Sequence, residues 1–143
     1  MPDQPSKHAE QHTPWGPDSI RYHALHIALT GDRDDDDPVI VENNVFREVV
    51  HEDCAGLRLK RIDVILGTAS SGGDVSVFLE NETQAVDMLS SDASIASGDN
   101  YSEQSGVIAA YPDNLVELGD VWRIDITEAG TDAKGLKVRV IFW

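Results

Sequence analysis

Val121-Trp122-Arg123-Ile124-Asp125-Ile126-Thr127, then Glu128-Ala129-Gly130-Thr131-Asp132-Ala133-Lys134-Gly135, then Leu136-Lys137-Val138-Arg139-Val140-Ile141-Phe142-Trp143: this stretch decides the fold. Apolar and polar residues alternate on both sides of a Gly/Asp-rich turn. That is the pattern of half-buried antiparallel strands, because successive side chains on a strand point to opposite faces. Trp122, Ile124 and Ile126 are expected to face the core from one strand. Leu136, Val138, Val140 and Phe142 are expected to do so from the next. Asp125, between two inward residues, is expected to face solvent or a sheet edge.

Working back from this hairpin, the chain repeats the same grammar. Val75–Leu79 is a strand with Val75, Val77 and Leu79 inward. Leu57–Leu66 is the longest strand, and its apolar phase changes midway: Leu57 and Leu59 are odd, Ile62, Val64 and Leu66 even. A period-two strand changes phase only with an extra residue. This predicts a β-bulge near Lys60-Arg61 or a crossing between sheets. Ile20–Leu29, Val39–Glu42, Val45–His51 and Val107–Tyr111 read as further strands, and Gln84–Leu89 as a strand or one helical turn, strand being preferred. Asn43-Asn44, Asn81-Glu82-Thr83 and Pro112-Asp113-Asn114 read as turns, and Ser90–Gly106 as a long loop. About eight short strands with Gly/Asp/Asn turns and no long helical period predict an all-β antiparallel sandwich or jelly roll.

Residues 1–19 differ in kind. Pro2, Pro5, Pro14 and Pro17 oppose helix and ladder pairing, and Trp15 is the one large apolar side chain. We read an extended N-terminal arm with Trp15 as a docking residue, and a sandwich domain over residues 20–143. No leader peptide or apolar membrane span is expected.

The 143 residues suffice for one domain that buries about 70% of its unfolded surface. With 26 acidic and 11 basic residues the net charge is −15. Nucleic-acid binding needs clustered Lys and Arg on phosphates, so it is not expected; nor is attachment to an anionic membrane. Cys54 is the only cysteine, which excludes an intrachain disulfide, and it reads as a small buried hydrophobe.

The residues carry little chemistry. Asp32 and Asp34, Asp35, Asp36 and Asp37 offer the oxygens that Ca²⁺ takes. Counted from Asp32, however, the EF-hand positions for Gly and Glu hold Asp37 and Asn43. The run Asp34–Asp37 reads as a solvated loop, which could also face a basic patch on a partner. His8 and His12 are bracketed by Pro5 and Pro14 and have no third ligand nearby. The chain has no nucleophile elbow and no Lys-Ser/Thr phosphate-binding loop. No catalytic residue, cofactor or metal is expected, and the protein reads as a non-enzyme.

Gly67-Thr68-Ala69-Ser70-Ser71-Gly72-Gly73-Asp74, followed by the alternating strand that ends at Asn81, resembles a module of tailed-bacteriophage virion proteins. Leu115 to Asp125, with its Leu118-Gly119-Asp120 turn, and the Gly130–Gly135 hairpin continue the resemblance, which covers roughly residues 57–143. Ser70 stands where the family often has Pro, and Glu82 where it often has Gly. The resemblance implies a head decoration (cement) protein, a head fibre or a tail fibre. A decoration protein on the outer capsid surface is the first expectation. It would be made in the host cytoplasm, bind the major capsid protein and associate as a homotrimer. Trp15, Tyr22 and Trp143 are the expected interface anchors, since aromatic residues dominate hot spots. The alternative is a fibre module that binds host-surface glycan through Tyr101 and Tyr111 with Asp99 and Asp113.

Overall fold

A computed structural model describes residues 22–30 and 36–143. The expected arm, Trp15, Asp34 and Asp35 lie outside the described residues. Eleven strands follow one another: β1 (His23–Ala28), β2 (Glu42–Val49), β3 (Leu59–Thr68), β4 (Val75–Asn81), β5 (Val86–Asp87), β6 (Leu89–Ser91), β7 (Ala93–Ile95), β8 (Tyr101–Ser102), β9 (Val107–Ile108), β10 (Val121–Ala129) and β11 (Lys134–Phe142). The described residues contain no helix. The count exceeds the expected eight because Ser90–Gly106, read as loop, holds strands of two or three residues. Such pieces are too short to show a period.

The strands form a four-stranded sheet ordered β1-β11-β3-β8 and a second sheet ordered β2-β10-β4-β5, in which β7 also pairs with β4. A small third sheet pairs β6 with β9. All pairings are antiparallel. The first strand lies beside the last, and the second beside the last but one. This order makes a β-sandwich and is consistent with a jelly roll.

Alternation fixes what the two sheets bury between them. Ile62 and Val64 of β3, Leu136 and Val140 of β11, Val77 and Leu79 of β4 and Ile124 of β10 are all 0% exposed and belong to one core cluster. Trp122 ties the layers together. Its ring lies 5.4 Å from Phe46 in its own sheet and 5.6 Å, edge-on, from Phe142 in the other. Cys54 is buried, as its small apolar character predicts.

The predicted bulge is present. Leu59 pairs with Phe142 and Arg61 with Ile141, so Lys60 is the extra residue, and β3 stays in one sheet throughout. Three expectations are corrected. Asn43-Asn44 is no chain reversal. It lies inside β2, where Phe46 pairs with Ile124 but Glu42 with Ile126, so the strand bulges and Asn44 adopts φ 57°. Val39–Glu42 is not a separate strand. Val39 donates to the Ala133 carbonyl at 3.0 Å, and Ile40 and Val41 are exposed. Asp125 is not at the surface but 6% exposed, because its carboxylate fills the β2 bulge and accepts the Asn44 N–H at 2.8 Å.

Candidate functional site

The residues that carry the sequence resemblance meet in pairs, and each pair is a structural joint. At one, Ser70 is 2% exposed. Its Oγ accepts from the backbone N–H of Thr131 at 3.0 Å and of Gly72 at 3.2 Å. It also lies 2.7 Å from the Gly73 carbonyl. The small-residue loop is thereby fastened to the final hairpin. Gly130 permits the approach: a Cβ there would lie 2.4 Å from Ser70 Oγ, and its φ is +59°. At the other joint, Asp120 Oδ2 accepts from Asn81 Nδ2 at 2.9 Å, Gln84 Nε2 at 2.7 Å and the Glu117 N–H at 3.0 Å. Gly119, at φ +86°, makes the turn that the sequence assigned to it. Asn81 and Asp120 are both buried, and a buried carboxylate needs such donors.

The outer face of the first sheet holds a third polar group that sequence reasoning missed. Asp63 points away from the core yet is 0% exposed. Arg61 Nε reaches its Oδ1 at 2.9 Å, Arg139 Nε its Oδ2 at 2.7 Å, and the Gln104 N–H its Oδ1 at 2.8 Å. Arg61 also pairs with Glu103 at 2.5 Å, and Arg139 donates to Tyr101 Oη at 3.0 Å. Burial alone would raise the Asp63 pKa, but the Gln104 N–H and the two guanidinium groups outweigh it and hold the carboxyl below its usual range. Arg61 and Arg139 are pushed up in turn, chiefly by their bonds to Asp63. This network pins the segment around β8 over the sheet.

The fourth cluster is exposed. Tyr22 and Trp143, two of the expected anchors, stack on each other with centroids 6.3 Å apart and planes at 17°. They are 61% and 49% exposed. Lys60, bulged out of β3, places its Nζ 5.9 Å from the Trp143 ring centroid. Arg58 and Trp143 exchange both backbone hydrogen bonds at 3.0 Å. A pair of that kind sends both side chains to one face. The Arg58 guanidinium lies over the Tyr111 ring at 4.2 Å. No described carboxylate forms a salt bridge with Arg58 or Lys60.

An open cleft of about 350 Å³ adjoins this cluster, with Lys60 and Arg61 on one side and Gln104, Ser105 and Val107 on the other. Ser105 holds the far wall in place through its N–H on the Ile62 carbonyl at 2.7 Å and its Oγ on the Ser94 carbonyl at 2.7 Å. Lys60 belongs to both cleft and aromatic cluster. The signal for it was in the sequence as the phase change that predicted the bulge.

The two tyrosines suggested for glycan binding each have an arginine partner. Tyr101 is tied to Arg139 on β8, and Tyr111 lies against Arg58. Asp36 and Asp37, the described end of the acidic run, precede Pro38, which bridges to Lys134; Gly135 donates to the Asp37 carbonyl at 2.8 Å. No group of three or more His, Cys, Asp or Glu among the described residues is arranged to hold a metal ion. No helix among them is long and apolar enough to cross a membrane. No family model matches the chain, no curated protein matches it, and no solved structure matches it.

Proposed function

We propose that the chain is a non-catalytic structural protein of a tailed-phage virion, a decoration protein that attaches to the outer surface of the head and stabilises it. The observation that carries this reading is the exposed Tyr22–Trp143 stack at the edge of a sandwich. Two large rings held parallel in water are already ordered, so a partner that covers them gains apolar burial at little further entropic cost. Arg58 and Tyr111 extend the same surface, and Tyr, Trp and Arg are the residues enriched in binding hot spots. The stretches that carry the resemblance to virion modules support the reading in another way, Ser70 standing there in place of the family's frequent Pro. Ser70, Gly130, Asn81 and Asp120 all hold loops to the sandwich, a role that resists mechanical load and needs no substrate.

On this reading the partner is the major capsid protein, and several copies, arranged as a trimer, sum weak contacts into a durable attachment. Co-sedimentation of the full chain with undecorated tailed-phage heads tests it. Saturable binding that weakens at least tenfold for Trp143→Ala is expected. Absence of binding at every concentration would overturn the reading for that head. A companion chain lacking residues 1–19 separates the arm's contribution from that of the sandwich. Sedimentation equilibrium of the free protein tests the trimer.

A further inference from the structure

The Lys60 cleft carries an inference that goes beyond attachment to a shell. In a chain of net charge −15, four arginines of the described residues are matched to carboxylates: Arg47 to Glu82, Arg61 and Arg139 to Asp63, Arg123 to Glu80. Arg58 and Lys60 are held against aromatic rings instead. A guanidinium lying flat on a ring keeps the edge that carries its N–H donors available, and that fork matches a carboxylate. The rings supply a second kind of surface. Tyr22, Tyr111 and Trp143 are 61%, 58% and 49% exposed, and flat rings of this kind pack against the C–H faces of sugars. The third element is the cleft itself. Its volume of about 350 Å³ lies at the lower end of ligand pockets, which hold roughly 300–1,000 Å³.

We propose that Lys60, which lines the cleft with Arg61 and Gln104–Val107 and also reaches the Trp143 ring, joins the cleft to the Arg58–Tyr111 and Tyr22–Trp143 cluster in one surface that binds a carboxylate-bearing saccharide. Arg58 and Lys60 take the carboxylate. Trp143 and Tyr111 pack against the ring. The Gln104 side chain, whose backbone N–H is fixed on Asp63, offers a neutral amide to hydroxyl groups. The chain's overall negative charge does not prevent this. Fields are screened beyond about 8 Å at physiological salt, and Glu103, the carboxylate beside the cleft, is paired with Arg61.

The test uses the full chain on an array of sialic-acid- and uronic-acid-terminated oligosaccharides, their methyl esters and their neutral counterparts. An oligoglutamate peptide and sulfated sugars stand beside them. Retention on the free acids, lost on esterification, is the expected result. Arg58→Gln, Lys60→Gln and Trp143→Ala should each weaken it at least tenfold. Lys134→Gln, at the opposite end of β11, removes the same charge away from the cleft and should leave binding within twofold. Circular dichroism and melting curves establish that each variant is folded. Equal binding of acids, esters and neutral sugars would overturn the proposal, as would no binding to any sugar. Stronger retention on sulfated sugars would overturn the carboxylate assignment, and retention on oligoglutamate alone would replace the saccharide with an acidic peptide. None of these outcomes bears on co-sedimentation with phage heads, so the two readings fail separately.

Discussion

The loop joints and the Trp143 edge invert the usual distribution of polar and apolar groups. At the joints, Ser70, Asn81 and Asp120 are buried; Ser70 and Asp120 accept from backbone and amide donors, and Asn81 donates to Asp120 and accepts from the Gln84 N–H. At the edge, two stacked aromatic rings and two cations stand in solvent. The difference teaches where specificity of fold and capacity for recognition reside. Buried hydrogen bonds tolerate little change, because a lost partner leaves a desolvated group unpaired. Exposed rings contribute little to folding and are free to serve a partner.

Substitutions can break that contrast, and the core sets the scale. Trp122→Ala removes a side chain 1% exposed and packed between Phe46 and Phe142; a loss of about 4 kcal/mol is expected in urea unfolding. Asp63→Asn should come next, at about 3 kcal/mol, since it leaves Arg61 and Arg139 facing a neutral group. The same carboxylate gives a pH signature. Its folded pKa is depressed, so its contribution is fully present above the unfolded value of about 3.9 and is lost as pH falls through the lower folded value. Melting temperature should therefore drop below about pH 4, and Asp63→Asn should flatten that drop. Glu82, held down first by Arg47, titrates with the same sign but at a more exposed site, so Glu82→Gln should alter the acid limb less.

Gly130→Ala probes the Ser70 joint. The added Cβ meets Ser70 Oγ in a backbone conformation that L-residues disfavour, and a loss of about 2 kcal/mol in thermal or urea melts is expected. Trp143→Ala should be the mildest for folding, within about 0.5 kcal/mol, while abolishing attachment or saccharide retention. A stability loss there as large as at Trp122 would erase the distinction between the two regions.

Much of the fold was legible because alternation is a strong signal over seven or more residues. The inward sets of β4, β10 and β11 follow directly from it, and the phase change in β3 located the Lys60 bulge. The short strands β7 and β8 inside Ser90–Gly106 escaped because they have no period to read, whereas β5 and β9 fall within the expected Gln84–Leu89 and Val107–Tyr111, though shorter than expected. Asp63 and Asp125 escaped for a different reason. Both sit at outward positions, where a charged residue reads as solvated, and both are covered by segments distant in sequence, around Gln104 and Asn44. Of the candidate site, Tyr22 and Trp143 were legible as anchors. Their stacking, and the placement of Arg58 and Lys60 beside them, depend on the pairing of β1 and β3 with opposite edges of β11.

The bulge in β2 has a consequence for the life of the protein in a crowded cell. Among the described residues β2 closes one side of its sheet, with β10 as its neighbour. A straight border strand is a template on which another chain can add, the first step towards fibrils. The irregularity at Asn43-Asn44, locked by the Asn44 bond to Asp125, twists that border and spoils its repeat. One carboxylate, buried under the strand it bends, thus guards a many-stranded protein against polymerising along its own sheets.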